Sequence, residues 1–180
     1  NLIPTGMARY DHIDKSRSPK NRILFAPSWR KYLTQEINSS KWELVEGRLK
    51  NSDYFKNFSS FLENPRLHAL LEREDMYLDL KLHPIIAGAK GLFDIKSPRI
   101  KLAGAHGDVE DYKVFITDFS SFVFDFAYLS RPVIYFVPDY GQFKAGMNHY
   151  RELDLPFEEA FGPLTLDPDE AVAELEKVAG

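Results

Sequence analysis

Apolar, β-prone runs alternate with stretches of helical periodicity along this chain. Arg22-Ile23-Leu24-Phe25-Ala26, Val114-Phe115-Ile116 and Val133-Ile134-Tyr135-Phe136-Val137 are nearly unbroken apolar runs of strand length. Such runs suit strands buried on both faces, as in a parallel sheet. Met76-Tyr77-Leu78-Asp79-Leu80-Lys81-Leu82 alternates apolar and polar residues and predicts another strand, ending at His83; Pro98 to Ala103 predicts a shorter one. Tyr54, Phe55, Phe58, Phe61 and Leu62 recur at helical spacing as far as Pro65, and Leu67, Leu70 and Leu71 continue as a second amphipathic stretch. Pro84 opens a helix running to about Gly91, residues 108–112 form a helical turn, and Phe122, Phe126 and Leu129 mark a helix from near Ser120 that Arg131-Pro132 stops. Asp167-Pro168-Asp169-Glu170 caps a final helix whose inner face is Ala171, Leu175 and Val178. Residues 31–52 read as a long variable loop, and 138–161 as another. The alternation predicts an α/β fold, a Rossmann-like open parallel sheet of about five strands with helices on both faces. Residues 1–21, polar and bearing Pro4, Gly6, Ser16, Ser18 and Pro19, read as a linker ahead of a domain spanning 22–180. The start at Asn1 suggests the C-terminal portion of a longer protein.

Composition narrows the classes. Of 180 residues 44% are hydrophobic, with 14 Phe and 9 Tyr, which suffices for a sizeable core. The net charge of −4 offers no basic field for general nucleic-acid binding. The absence of cysteine excludes a disulfide framework, zinc thiolates and thiol catalysis, and fits a cytosolic setting. No apolar run approaches the roughly 20 residues that span a bilayer.

Polar residues gather where the predicted strands end. Ser28 and Arg30 follow the first strand, His83 ends the second, and Thr117, Asp118, Ser120 and Ser121 follow Ile116. The carboxyl ends of parallel strands share one edge of a sheet, where open α/β folds bind ligands. Hydroxyls, an imidazole, a guanidinium and a helix N-terminus together suit a phosphate or pyrophosphate. Helix capping would by itself use one or two of Asp118, Ser120 and Ser121, and both readings stand at this point. No G-x-G-x-x-G and no P-loop occurs. Asp108, Glu110 and Asp111 read as a solvated acidic turn rather than a metal cage, so no metal and no cofactor is expected.

Four segments in order, Ala26-Pro27-Ser28-Trp29-Arg30, Leu80-Lys81-Leu82-His83-Pro84, Ile116 through Ala127 (ITDFSSFVFDFA) and Arg131-Pro132-Val133-Ile134, resemble the CDP-glycerol glycerophosphotransferase family. Gly6-Met7-Ala8-Arg9-Tyr10-Asp11 is similar to that family's G-x-P-R-x-D segment between two domains, with Ala8 where proline is usual. The resemblance implies the C-terminal half of a GT-B-type transferase, inactive alone. That enzyme would move glycerol phosphate or a related polyol phosphate from a CDP-linked donor to a lipid-linked acceptor in teichoic acid or capsule synthesis. It would act peripherally at the cytoplasmic face of the membrane, without nucleic acid, with the acceptor and the general base belonging to a preceding domain. It implies His83 as a catalytic residue at the donor phosphate, best in its protonated form. Ser28, Arg30, Thr117, Asp118, Ser120 and Ser121 would hold the donor phosphates and polyol, and Arg9, Asp11 and Asp125 would lie at the interdomain cleft. The alternatives are a GT-B glycosyltransferase using a nucleotide sugar and a non-catalytic nucleotide-binding module.

Overall fold

The computed structural model describes residues 6–39, 41–104, 108–148, 153 and 155–180; Pro4 and Thr5 of the predicted linker lie outside them. In chain order the elements are β1 (Arg22–Ala26), β2 (Thr34–Asn38), β3 (Lys41–Leu44), α1 (Glu46–Lys50), α2 (Asp53–Leu62), α3 (Pro65–Arg73), β4 (Tyr77–Leu80) and α4 (Pro84–Ala87). There follow β5 (Ile100–Leu102), β6 (Val114–Thr117), α5 (Val123–Tyr128), β7 (Val133–Phe136), α6 (Tyr140–Lys144), β8 (Leu164–Thr165) and α7 (Pro168–Ala179). Six strands form one sheet in the order β5-β4-β1-β6-β7-β8, every neighbouring pair parallel. The α/β architecture is the one the alternation predicts, with one strand more: β8 is two residues long, too short to show a period.

The strand order reverses direction between β1 and β6. From β1 the chain winds outward through β4 and β5, and from β6 it winds the other way through β7 and β8. The crevice at the carboxyl ends of β1 and β6 is therefore the topological switch point, where such sheets bind ligands.

Both faces of the sheet are buried. Ile23, Phe25, Val114, Ile116, Ile134 and Phe136 project to one side, into a core built with α2, α3 and α7. Leu24, Phe115, Val133 and Tyr135 project to the other, against Val123 and Phe126 of α5 and against Phe157. This is the period of two expected of strands, with apolar residues at both phases. Phe25 meets Phe58 and Phe61 edge-on at 5.1 and 5.3 Å between ring centroids, a favoured aromatic geometry. Side chains of Ser52, Asn64 and Asp167 cap α2, α3 and α7, and Pro65 and Pro168 occupy the first turns of α3 and α7. Each such cap is worth about 1 kcal/mol.

Three segments depart from the sequence reading. Residues 31–52 are not a loop: β2 and β3 pair as an antiparallel hairpin and α1 follows. Four of the five β2 residues are exposed, so no buried face imposed an alternating pattern. α4 stops after one turn, with a separate 3₁₀ turn at Lys90–Leu92. α5 starts at Val123, later than Ser120, because the Ser120 hydroxyl accepts the Phe122 N–H (3.2 Å) in a tight turn ahead of the helix. The acidic turn also differs from expectation. Glu110 and Asp111 are buried beneath residues 14–20, where Arg17 bonds Asp108 (2.9 Å) and Asp111 (2.5 Å), Lys20 bonds Asp111 (2.8 Å), and Glu110 accepts the Asp14 N–H.

The pairing of β7 with β8 depends on a close approach at Gly162. A Cβ there would stand 1.8 Å from the Val133 carbonyl oxygen. Gly162→Ala is expected to destabilise by about 1–3 kcal/mol, as overpacking does. Gly141→Ala, with open space around it in α6, should be neutral or stabilising by up to about 1 kcal/mol. Urea denaturation of the two variants checks the contrast.

Candidate active site

The crevice at the switch point is built on a buried ion cluster. Arg30, on the loop after β1, is wholly buried. Its Nε and Nη2 donate to the two carboxylate oxygens of Asp139, at the end of β7, at 2.6 and 2.8 Å. Its Nη1 donates to Asp118 Oδ2 (2.7 Å), after β6, and to the Ser28 carbonyl (3.0 Å). Asp118 in turn accepts the backbone N–H groups of Ser28 and Phe119. The Tyr32 hydroxyl donates to Asp139 Oδ2 at 2.8 Å. The rings of Tyr54 and Phe119 each lie 4.9 Å from the guanidinium. Burial alone would push the Arg30 guanidinium down, but Asp118 and Asp139 outweigh it and hold it above its ordinary value. One planar fork thus ties together the ends of three adjacent strands, a task for which arginine's fixed donor geometry suits it.

Three of the residues expected at the donor phosphate are buried in or beside this cluster, although Asp118 also lines a cavity with Phe119 and Ser121. Arg30 and Asp118, expected at the donor phosphate, have side chains with no accessible surface and spend their hydrogen bonds on each other and on the loops they join. Thr117, expected with them, is also fully buried, and its hydroxyl donates to the Ala26 carbonyl (2.9 Å), pinning β6 to β1. Asp139 was missed; its only signal was a carboxylate just past a strand end.

Ser28, His83 and Ser120 do come together. They line a cavity of about 400 Å³ with Lys81, Gly104 and Phe122. A second, largely aromatic cavity of about 280 Å³, lined by Phe119, Ser121, Phe124, Tyr135 and Phe157, adjoins it, and Ser120 belongs to both. Lys81 was the other residue overlooked. Its ammonium stands 4.5 Å from the Phe122 ring centroid, and burial pulls its pKa below the ordinary value. Its signal lay two residues before His83, which puts both side chains on one side of an extended chain; the Lys81 N–H continues the ladder by bonding the Phe25 carbonyl.

The His83 imidazole is anchored through the ring nitrogen nearest its own backbone. Its Nδ1 accepts the Ile85 N–H at 3.3 Å, capping α4, so the proton of the neutral ring sits on Nε2. Burial lowers its pKa, and the opposing pull of Asp118 does not restore it. Without a ligand the site thus disfavours the charged ring, and a bound phosphate would act in the opposite direction.

The remaining candidates line neither cavity. Arg9 Nη2 stands 2.9 Å from Asp125 Oδ1 on α5, and burial raises the Asp125 carboxyl against the pull of Arg9. Tyr10 stacks on Tyr128 at 4.5 Å, with the Lys15 ammonium 3.6 Å from the same ring. Asp11 is exposed on that segment. Among the described residues no cluster of three or more His, Asp or Glu could hold a metal ion.

An open parallel sheet with hydroxyl, imidazole and ammonium groups gathered at its switch point has the form of the doubly wound sheets that bind ligands at that crevice. Residues 4–180 match the family described as CDP-Glycerol:Poly(glycerophosphate) glycerophosphotransferase, and the chain belongs to that family. It is 29% identical over 141 residues to the minor teichoic acid biosynthesis protein GgaB of Bacillus subtilis (strain 168), covering 76% of this chain and 15% of the relative. It is also 29% identical over 164 residues to the teichoic acid poly(glycerol phosphate) polymerase of the same strain, covering 89% of this chain and 19% of the relative. The fold resembles that of the wall teichoic acid polymerase TagF, with a TM-score of 0.55 at 24% identity over 90% of this chain and 36% of TagF. The chain thus spans less than a fifth of the two curated relatives.

The ion cluster gives a direct test. Arg30→Ala leaves two buried carboxylates without their counter-ion and should cost about 3–5 kcal/mol. Arg30→Lys keeps the charge but not the fork and should recover only part of it. Chemical denaturation of both variants measures the difference.

Proposed function

We propose that this chain is the donor-binding half of a GT-B-type transferase. The enzyme would move glycerol phosphate, or a related polyol phosphate, from a CDP-linked donor to a lipid-linked acceptor in teichoic acid or capsule synthesis. One observation carries the reading: in a chain of this family, Ser28, Lys81, His83 and Ser120 converge on one cavity at the switch point of the sheet. A donor diphosphate held there gains the Lys81 ammonium, the Nε2–H of His83 and the two serine hydroxyls. Charge-assisted hydrogen bonds of this kind are the strong ones.

The chemistry asks for that set. When an acceptor hydroxyl attacks the donor's β-phosphate, negative charge builds on the phosphoryl oxygens and on the departing CMP. Positioned cations and N–H donors stabilise it without reorganising. Lys81 supplies the charge, and His83 directs a proton-bearing nitrogen into the cavity. The attacking hydroxyl's proton goes to a general base in a preceding domain. Arg30, Asp118 and Thr117 serve by holding the loops that carry Ser28 and Ser120. The Arg9–Asp125 contact supports a position for the linker segment, which carries Asp11, at the donor side of an interdomain cleft. No helix among the described residues is long and apolar enough to cross a membrane, and we assign the enzyme to the cytoplasmic face as a peripheral protein.

Calorimetric titration of the chain with CDP-glycerol, CDP-ribitol, CDP and UDP-glucose tests the reading. CDP-linked donors should bind in preference to UDP-glucose. Lys81→Ala should weaken donor binding by about 10–100-fold, the worth of a hydrogen bond to a charged group. His83→Ala and Ser120→Ala should each cost about 5–10-fold, a neutral hydrogen bond. Preference for UDP-glucose would replace this reading with a nucleotide-sugar glycosyltransferase. Binding of none of the four, in this chain and in the protein that carries it, would leave a non-catalytic module.

A further inference from the structure

His83 is the first of a row of three rings that ends on the hairpin. The Trp29 ring centroid lies 6.1 Å from that of His83, with 30° between the planes. Trp42, on β3, lies 6.1 Å from Trp29, at 48°. β3 itself packs on α4, the helix that His83 caps, and the Lys31 ammonium stands 5.4 Å from the Trp42 ring centroid. Trp29 and Trp42 are half-buried, and Trp29 joins the core beneath the sheet's main face. The imidazole has one polar anchor described at the ring, the Ile85 N–H on Nδ1. A single bond to Nδ1 leaves the ring free to tilt about it; a flat neighbour removes that freedom.

We propose that the β2–β3 hairpin positions His83, with Trp42 holding Trp29 and Trp29 holding the imidazole plane so that Nε2 meets the donor. The part played by His83 rests on the function proposed above; the positioning itself does not. The hairpin is then a working wall of the site, and Trp42 is a positioning residue that need not touch the substrate. Burial lowers the pKa of His83, since removing water disfavours the charged ring, and Trp29 is the ring beside it. The charged group that acts on it is Asp118, from the end of β6, and Lys81 lines the same cavity.

The test pairs Trp42→Ala with Trp42→Phe and reads two quantities: the NMR titration of the His83 imidazole C–H in the ligand-free chain, and the Kd for CDP-glycerol. With alanine the titration midpoint should rise toward the ordinary value of 6.5, and the Kd should weaken by about 3–10-fold, the size of one aromatic pair. Phenylalanine should return both to within about twofold of wild type, since a flat ring is restored. If the alanine variant does not fold, Trp42→Leu takes its place, with the same direction expected for both readouts. A midpoint and a Kd that both stay at the wild-type values would overturn the proposal and make the hairpin scaffolding alone. Should the wild-type chain bind no CDP-linked donor, the function proposed above falls, while the titration still decides: a shifted midpoint supports the positioning, and an unmoved one overturns it.

Discussion

Everything in the crevice depends on where one guanidinium points. Burying an ion pair is expensive, and a partly satisfied one is worse than none. Here the desolvation of Arg30, Asp118 and Asp139 is offset because nearly every lone pair and N–H in the group finds a partner, including two backbone amides and the Tyr32 hydroxyl. Two carboxylates share one guanidinium, so the group retains a net negative charge, spread over donors drawn from both loops. The result is a rigid joint across β1, β6 and β7 at the edge where the ligand site is built.

That joint divides the polar residues into two sets. Those consumed by it (Arg30, Asp118, Thr117) set the spacing of the loops. Those left facing the cavity (Ser28, Lys81, His83, Ser120) do the binding in the function we propose. The division has an electrostatic consequence. Lys81 brings a positive charge to the cavity, and its partial burial makes that charge stronger toward a phosphate than it would be in water.

Much of this was legible in the sequence, and the failures share a physical cause. The central strands were readable because both faces are buried, which forces unbroken apolar runs such as Val133 to Val137. The hairpin was not, because Gln35, Glu36, Ile37 and Asn38 face solvent and no core constrains them. β8 is held by an approach of Gly162 to Val133 that leaves no periodic trace. The strand ends that form the crevice followed from the alternation of elements. Which of their polar residues face the cavity did not follow, because residue type and chain position do not say whether a guanidinium turns toward solvent or toward carboxylates about 90 and 110 residues away. Long-range pairs such as Arg30 with Asp139 are invisible to local pattern. Lys81 was the exception, since its spacing from His83 was available and the alternation of its strand masked it as a solvent-facing residue.

The most direct test of this account is a crystal structure of the chain with CDP-glycerol bound. The account predicts the diphosphate in the cavity among Ser28, Lys81, His83 and Ser120, with Arg30 still buried and both carboxylates still on its fork. A diphosphate in contact with the Arg30 guanidinium, and Asp118 or Asp139 released from it, would contradict the account and return Arg30 to the ligand-binding role its position in the sequence suggests.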